Sequence, residues 1–417
     1  MLGGRIARTT LGLLLEHEVL LVVSTSTALV MLGQGVTAPV LPLFARSFGV
    51  SAAAVGLTLS AFAVARLVVN VPAGVAADRW GRRLLLVGGP LVTGLGNLLS
   101  ATAPDLAWLL AWRFLAGVGS SLYMTGAIIA VTDIADDTNR GRMLAVNQGA
   151  LLLGVTVGPA VGGVTAEFLG LRAPFLLVGA LALLAGAANW LRVPETRAPA
   201  TAPDPPPSGQ ERRSERRPNV LRLLRSADFL LIGFVTFAVF FARSGRQTVL
   251  PLFGEDEAGL SEATIGAAFA LLSALNLALI TVAGAAVDRF GVKATILPSA
   301  LISGVGFALY ILIGSSAAGF FLASFVLGVG SGTLGPAPPA YAAAIVPAEV
   351  RGAAMGLYRT LGDLGFVLSP PLVGLIADHV GYDAALALNG SMLVFASLVF
   401  VYWGRSERTL AEQARLR

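Results

Sequence analysis

Asp363 stands four residues after Arg359 in an otherwise apolar run, GLYRTLGDLGFVLSPPLVGLI. At helical spacing the two side chains share a face and can touch. A carboxylate that alternates between apolar surroundings and a facing cation can take up and release a proton, which makes Asp363 the candidate coupling acid. A permanent Asp363–Arg359 ion pair that braces its helix is an equal alternative. Arg66, Arg113, Arg243 and Arg246 lie in similar apolar runs. A lone charge at mid-depth in hydrocarbon costs at least ~2.5 kcal/mol, so each must face a partner or a cavity. Arg113 sits ~10 Å into its helix by rise, deep enough to need one. It serves either proton coupling or a structural bond to carbonyls at a helix break. Gln34, Asn70, Asn147, Gln148 and Asn276 are amides in the same kind of run. With Arg66 and Arg243 they are candidates to line a substrate cavity, although buried amides also serve as glue between helices. Arg243 and Arg246 are placed in the outer part of their run, within reach of interfacial phosphates or the acidic loop Glu255–Glu257.

Other chemistry is missing from the pattern. The chain of 417 residues has no cysteine and two histidines, His17 and His379, at opposite ends, so no metal site is expected. No HExxH, GxSxG or phosphate-binding loop occurs, and no enzymatic activity or cofactor is expected. GSGTLG at Gly330–Gly335 fits a dinucleotide-type glycine spacing but lies in an apolar run with no strand before it.

The elements that hold these groups are membrane helices. The composition is 55% hydrophobic and 13% charged, against roughly 25% charged in ordinary soluble chains. Apolar runs long enough to cross hydrocarbon recur down the sequence, and twelve spans are predicted: 19–44, 51–76, 84–103, 106–132, 143–168, 172–193, 228–253, 262–287, 294–314, 317–345, 351–378 and 382–403. Of the 29 Lys and Arg, 22 fall on one side of these spans, while only Arg46 and Arg172 fall on the other. That asymmetry predicts both termini in the cytoplasm of a multi-pass protein of the inner (plasma) membrane. It also accounts for the net charge of +5 without a nucleic-acid partner. The amino terminus reads as a short amphipathic segment before an uncleaved first span.

Residues 195–227, with APATAPDPPPSGQERRSERRP, are too polar to cross and predict a cytoplasmic linker. The end of this stretch, NVLRLLRSADF, either lies along the membrane surface or simply flanks the next span. The linker separates a bundle over 1–194 from a second over 228–417. The halves repeat each other in register: Leu41–Phe44 with Leu250–Phe253, Gly74 and Asp78 with Gly284 and Asp288, Gly117 with Gly328, Arg140 with Arg351, and Pro159 with Pro370. Such a register is the trace of a duplicated six-helix unit, so the expected fold class is an all-α membrane protein with twelve transmembrane helices in two pseudo-symmetric bundles.

The loop after the second span reads GVAADRWGRR, Gly74–Arg83, with a weaker copy at Gly284–Lys293. Here the chain resembles the major facilitator superfamily. The resemblance implies that Gly74, Asp78, Arg79, Gly81, Arg82 and Arg83, with Asp133 at the end of the fourth span, form a latch that holds the outward-facing state. In the second copy Val292 replaces the arginine, so a weaker latch is expected there. Arg113 begins RFLAGVGSS, which is similar to the family's fourth-helix motif. GVTVGPAVGG carries Gly154, Gly158, Pro159, Gly162 and Gly163, and resembles the motif that marks antiporters. LRAPFLLVGAL, Leu171–Leu181, is similar to the drug:proton antiporter branch with twelve helices. The resemblance implies a proton-coupled exporter of small amphipathic or drug-like compounds that works by alternating access as a monomer among membrane lipids. Its alternative is an uptake or lipid and organic-anion carrier of the same fold. Unlike many drug exporters, the first span has no acid in its interior, since Glu16 and Glu18 sit at its end.

Overall fold

The computed structural model describes residues 17–136, 139–196, 226–346 and 351–405. The expected amphipathic amino terminus and all but the ends of the Pro- and Arg-rich linker lie outside them.

Thirteen helices follow one another among the described residues: α1 (Glu18–Arg46), α2 (Ala52–Trp80), α3 (Arg82–Ala101), α4 (Leu106–Asp133), α5 (Arg140–Leu169), α6 (Ala173–Arg192), α7 (Ala227–Asp256), α8 (Glu262–Phe290), α9 (Val292–Ile313), α10 (Ala317–Leu334), α11 (Ala337–Ala344), α12 (Arg351–Val380) and α13 (Tyr382–Trp403). They make twelve spans long and apolar enough to cross a membrane, with α10 and α11 sharing one. Helix is the form that satisfies every backbone N–H and C=O within one segment where no water is available.

The tenth span differs from the single helix expected over 317–345. It stops after Leu334 and resumes at Ala337. Pro336, Pro338 and Pro339 cluster there. A proline has no N–H to donate, and its ring collides with the carbonyl four residues before it, so the ladder cannot run through.

Turns between spans are closed by glycines with positive φ, a conformation that a side chain disfavours. They fall at matching places in the two halves: Gly49 (73°) with Gly259 (58°), Gly81 (93°) with Gly291 (84°), and Gly170 (83°) with Gly381 (106°). Packing repeats in the same way. Helix α1 lies on α5 and α6, and α3 on α4 and α6; correspondingly α7 lies on α12 and α13, and α9 on α10 and α13. The chain divides into two compact units, Met1–Ala198 with Gly259–Ser273 and Pro199–Ala258 with Ala274–Arg417.

In the first unit the contact between α1 and α5 is backbone on backbone. A Cβ added to Gly154 would lie 2.4 Å from the Ala28 carbonyl oxygen, one on Gly158 would lie 2.6 Å from Gly35 Cα, and one on Gly162 would lie 2.3 Å from the Val36 carbonyl oxygen. Gly163 faces elsewhere, toward Gly266 Cα at 2.9 Å within the same unit. Glu167, one turn further on, accepts the Ala263 N–H at 3.0 Å and so satisfies a free donor in the first turn of α8.

Gly162→Ala is therefore expected to destabilise the folded protein by about 1–3 kcal/mol through overpacking. Gly149→Ala, where an added Cβ meets nothing within 4 Å, should be neutral or slightly stabilising. Thermal denaturation of the two variants in detergent checks this; equal midpoints would contradict the close approach.

Candidate functional site

The turn from α2 into α3 gathers the charged residues of the first motif. Arg82 Nε donates to Asp133 Oδ2 at 2.8 Å, and Arg82 Nη1 donates to the Ala77 carbonyl at 3.0 Å and lies 3.5 Å from Asp78 Oδ1. One guanidinium thus joins the ends of α2 and α4 from the start of α3, by charge-assisted bonds. The approach is made possible by Gly81, whose positive φ reverses the chain immediately before Arg82. Gly74 lies a full turn before Asp78, with nothing within 4 Å of an added Cβ. Arg79 stacks on Trp80, 5.9 Å from its ring centre. Arg83 reaches the other way, donating to the Trp190 carbonyl at 2.7 Å and stacking over the Trp190 ring.

Glu195 completes this end of the unit, and sequence reasoning missed it. Its two oxygens accept the backbone N–H groups of Arg82 and Arg83 at 2.9 and 3.1 Å. It caps the free donors of α3 and places a negative charge at the positive end of the helix dipole. Because it stands at the first residue of the polar linker, it read as linker composition.

The second unit repeats the frame without the charge bridge. Lys293 donates to the Val401 carbonyl at 3.0 Å and to that of Gly404, as Arg83 does to Trp190. At the place of Arg82 stands Val292, which is buried. Asp288 is exposed and makes no ion pair among the described residues. Here Arg405, just past α13, is tied instead: Asp228 accepts the Arg405 N–H at 2.8 Å, and the Tyr341 hydroxyl lies 2.9 Å from the Arg405 carbonyl oxygen.

Arg113 is buried in α4 at 5% exposure. Its Nη1 donates to Asn97 Oδ1 at 3.3 Å, and its guanidinium carbon lies 4.8 Å from the centre of the Phe62 ring. These partners lie on α3 and α2, and neither is a carbonyl of a helix break, one of the two alternatives for Arg113. Cation–π contact and one amide oxygen leave Nε without a hydrogen bond.

Of the amides, Asn147 joins a buried network. Thr27 Oγ1 lies 2.8 Å from Asn147 Oδ1 and 3.0 Å from the Tyr123 hydroxyl, which donates to the Val23 carbonyl at 2.8 Å. Two hydroxyl protons cannot serve three contacts. Turning the Asn147 amide lets its NH₂ donate to Thr27, Thr27 to Tyr123, and Tyr123 to Val23, and each of the three contacts then has its own proton. Asn70 accepts from Ser121 at 2.6 Å and Asn276 from Ser331 at 2.8 Å, so the same pairing ties α2 to α4 and α8 to α10. Gln34 and Arg66 are half-buried, and Gln148 is exposed. Thr27, Tyr123, Asn97 and Asn189, which accepts from Ser26 at 3.1 Å and donates to the Leu86 carbonyl at 2.8 Å, were missed. Asn97 and Asn189 carried the signal used for Asn147, an amide in an apolar run, while an isolated Thr or Tyr carries none.

Arg359 and Asp363 lie one turn apart on α12, the first exposed and the second half-buried. Arg246 is buried and Arg243 exposed. Both sit nearer the middle of α7 than the outer part of the span where sequence had put them.

Two repeated sets of six spans, with polar and charged side chains within them, are the frame of a membrane transporter. The sequence profile of the Major Facilitator Superfamily matches residues 23–261 and again 232–416, and the chain belongs to that family. It is 24% identical to Multidrug resistance protein 2 of Bacillus subtilis, over 93% of this chain and 96% of that one. It is 23% identical to the Quinolone resistance protein NorA of Staphylococcus aureus, over 92% and 96%. A bacterial homolog to the human lysosomal transporter Spinster, solved inward-facing and unoccupied, superposes with a TM-score of 0.79 at 17% identity, over 95% of this chain and 97% of that one.

The Tyr123 network predicts that Tyr123→Phe, which removes the side-chain donor to the Val23 carbonyl and the hydroxyl facing Thr27, destabilises the protein by about 1–3 kcal/mol. Thr27→Val should add little once Tyr123 is Phe, because the two hydroxyls act in one chain. A double-mutant cycle on thermal midpoints reads the coupling; strict additivity would argue against a shared network.

Proposed function

We propose that the chain is a secondary active transporter that exports small amphipathic or drug-like compounds in exchange for protons. It works by alternating access, as a monomer in the inner membrane with both termini cytoplasmic. The observation that carries the conformational part is the Arg82 bridge. A single guanidinium ties the ends of α2 and α4 at the turn, and a contact made by charge-assisted bonds at a helix end can break and reform without unpacking a core. The direction of transport rests on the glycine stripe of α5, which resembles the antiporter motif, and on relatives named for multidrug and quinolone resistance.

In this reading Asp363 carries the proton, Arg359 offers it an alternative cationic partner, and Arg113 is held ready by Asn97 and Phe62. Gln34, Arg66, Asn70, Asn147, Gln148, Arg243 and Asn276 contribute the polar groups along the substrate route. The second reading, an organic-anion or uptake carrier, is favoured by the excess of arginines over acids within the spans.

Everted vesicles separate the two readings: acidifying the lumen should drive substrate inward if export is coupled to protons. Asp363→Asn should reduce that uptake to background while substrate binding persists, and full pumping by the variant would refute the assignment.

The latch is tested by the natural lack of cysteine in the chain, which lets a single cysteine introduced at Gln148 report accessibility. With Asp78→Asn, labelling from the cytoplasmic side should accelerate as the inward-open population rises; an unchanged rate would count against a latch.

A further inference from the structure

Arg243 and Arg246 are three residues apart on α7, so their side chains lie on neighbouring positions of one face. The helix has 30 residues, and by rise the two arginines lie only about 2 and 7 Å from its midpoint. That is well inside a hydrocarbon layer extending ~15 Å to either side of the middle. Arg246 is 8% exposed and Arg243 is accessible, so the pair runs from packed protein to open space along the helix.

Neither guanidinium forms an ion pair or a hydrogen bond with any described residue. This separates them from Arg82, Arg192 and Arg405, which face Asp133, Glu18 and Asp228, and from Arg113, which has an amide and a ring. Of the acids at the ends of α7, Asp228 holds Arg405 and Asp256 accepts from the Tyr382 hydroxyl, while Glu255 stands nine residues beyond Arg246, about 14 Å by rise. At this spacing Arg243 repels Arg246.

The fold does not require these charges. In the register of the repeat, Arg243 and Arg246 correspond to Gln34 and Thr37 of α1, and the Thr37 hydroxyl simply bonds back to the Gly33 and Gln34 carbonyls of its own helix. Two like charges at membrane depth, with planar donor forks and no acceptor among the described residues, are costly unless an acceptor comes from outside the chain.

We infer that Arg243 and Arg246 form an anion subsite, which takes a carboxylate, sulfonate or phosphate group carried by the transported molecule. The subsite rests on the reading of the chain as a carrier of amphipathic compounds and narrows its substrates to those with an anionic head. The guanidinium fork of Arg243 meets the oxo group first, and the buried Arg246 neutralises its charge. A phospholipid headgroup offers the same chemistry, and the experiment distinguishes the two sources.

The test uses the full chain purified in an uncharged maltoside detergent, titrated with octanesulfonate and with octyltrimethylammonium, probes of equal chain length and opposite charge. The subsite predicts that octanesulfonate binds about tenfold tighter, a difference of about 1.4 kcal/mol. Arg243→Gln should erase most of that preference, and Arg243→Lys should keep part of it, because the charge remains while the fork is lost. Arg142→Gln, on the exposed start of α5, should leave it intact. Equal binding of the two probes by the unmodified chain, or an undiminished preference in Arg243→Gln, overturns the proposal.

Repeating the titration in phosphatidylcholine nanodiscs, with and without phosphatidylglycerol, identifies the source of the anion. Competition by phosphatidylglycerol assigns the subsite to a lipid headgroup and overturns the substrate assignment; indifference to it supports a transported anion. Because the readout is equilibrium binding, a failure of proton-driven export in vesicles leaves this result independent.

Discussion

The bare backbone contact between α1 and α5 is the constraint on which the first unit depends. In hydrocarbon there is no hydrophobic gain from burying one apolar helix against another, so association relies on close packing and on the few polar bonds that packing allows. Glycines at 154, 158 and 162 bring the helices near enough that no Cβ fits between them. That approach also places Thr27 of α1 beside Asn147 of α5 and Tyr123 of α4, so the polar network forms only because the glycine stripe lets it.

The second unit keeps one of these approaches and changes the others. Gly365 sits where a Cβ would lie 2.3 Å from the Phe237 carbonyl oxygen, the equivalent of Gly154 against Ala28. At the place of Gly158, however, stands Ser369, whose hydroxyl is buried beside Gly245 and Asn389. Duplication therefore preserved the frame, in its turns, its packing partners and its basic contacts to the last carbonyls of α6 and α13. The chemistry inside diverged: Arg82 against Val292, Arg113 against Ser324, Arg66 against Asn276, and Gln34 against Arg243. Paired repeats let a transporter expose either side in turn, and residues that differ between the repeats give the two halves different contacts to offer.

Charge is used in two distinct ways. At the helix ends it ties elements together, as Arg82, Glu195, Arg83, Lys293 and Asp228 do, each meeting a carbonyl, an N–H or an opposite charge. Within the spans it is concentrated in arginine, whose weakly hydrated planar fork tolerates burial better than an ammonium. Arg113 is held by a ring and an amide, which keep it in place without neutralising it.

Twelve spans, their duplication and the place of each turn were legible in the order of residues, because hydropathy, glycine and proline act locally and recur at a constant offset. So was the identity of the residues at the α2–α3 turn, since an Asp-Arg pair and basic residues around a glycine have few uses beside a membrane. The break after Leu334 could have been read from its prolines, but hydropathy alone runs on through them. Only the tertiary structure decided what each polar group meets: that Glu195 caps α3, that Arg113 turns to Phe62 and Asn97, and that Tyr123 closes a network with residues about a hundred positions away in sequence. Partners brought together by helix packing leave no spacing in the chain, because the distance between them is set by which faces the glycines allow to touch.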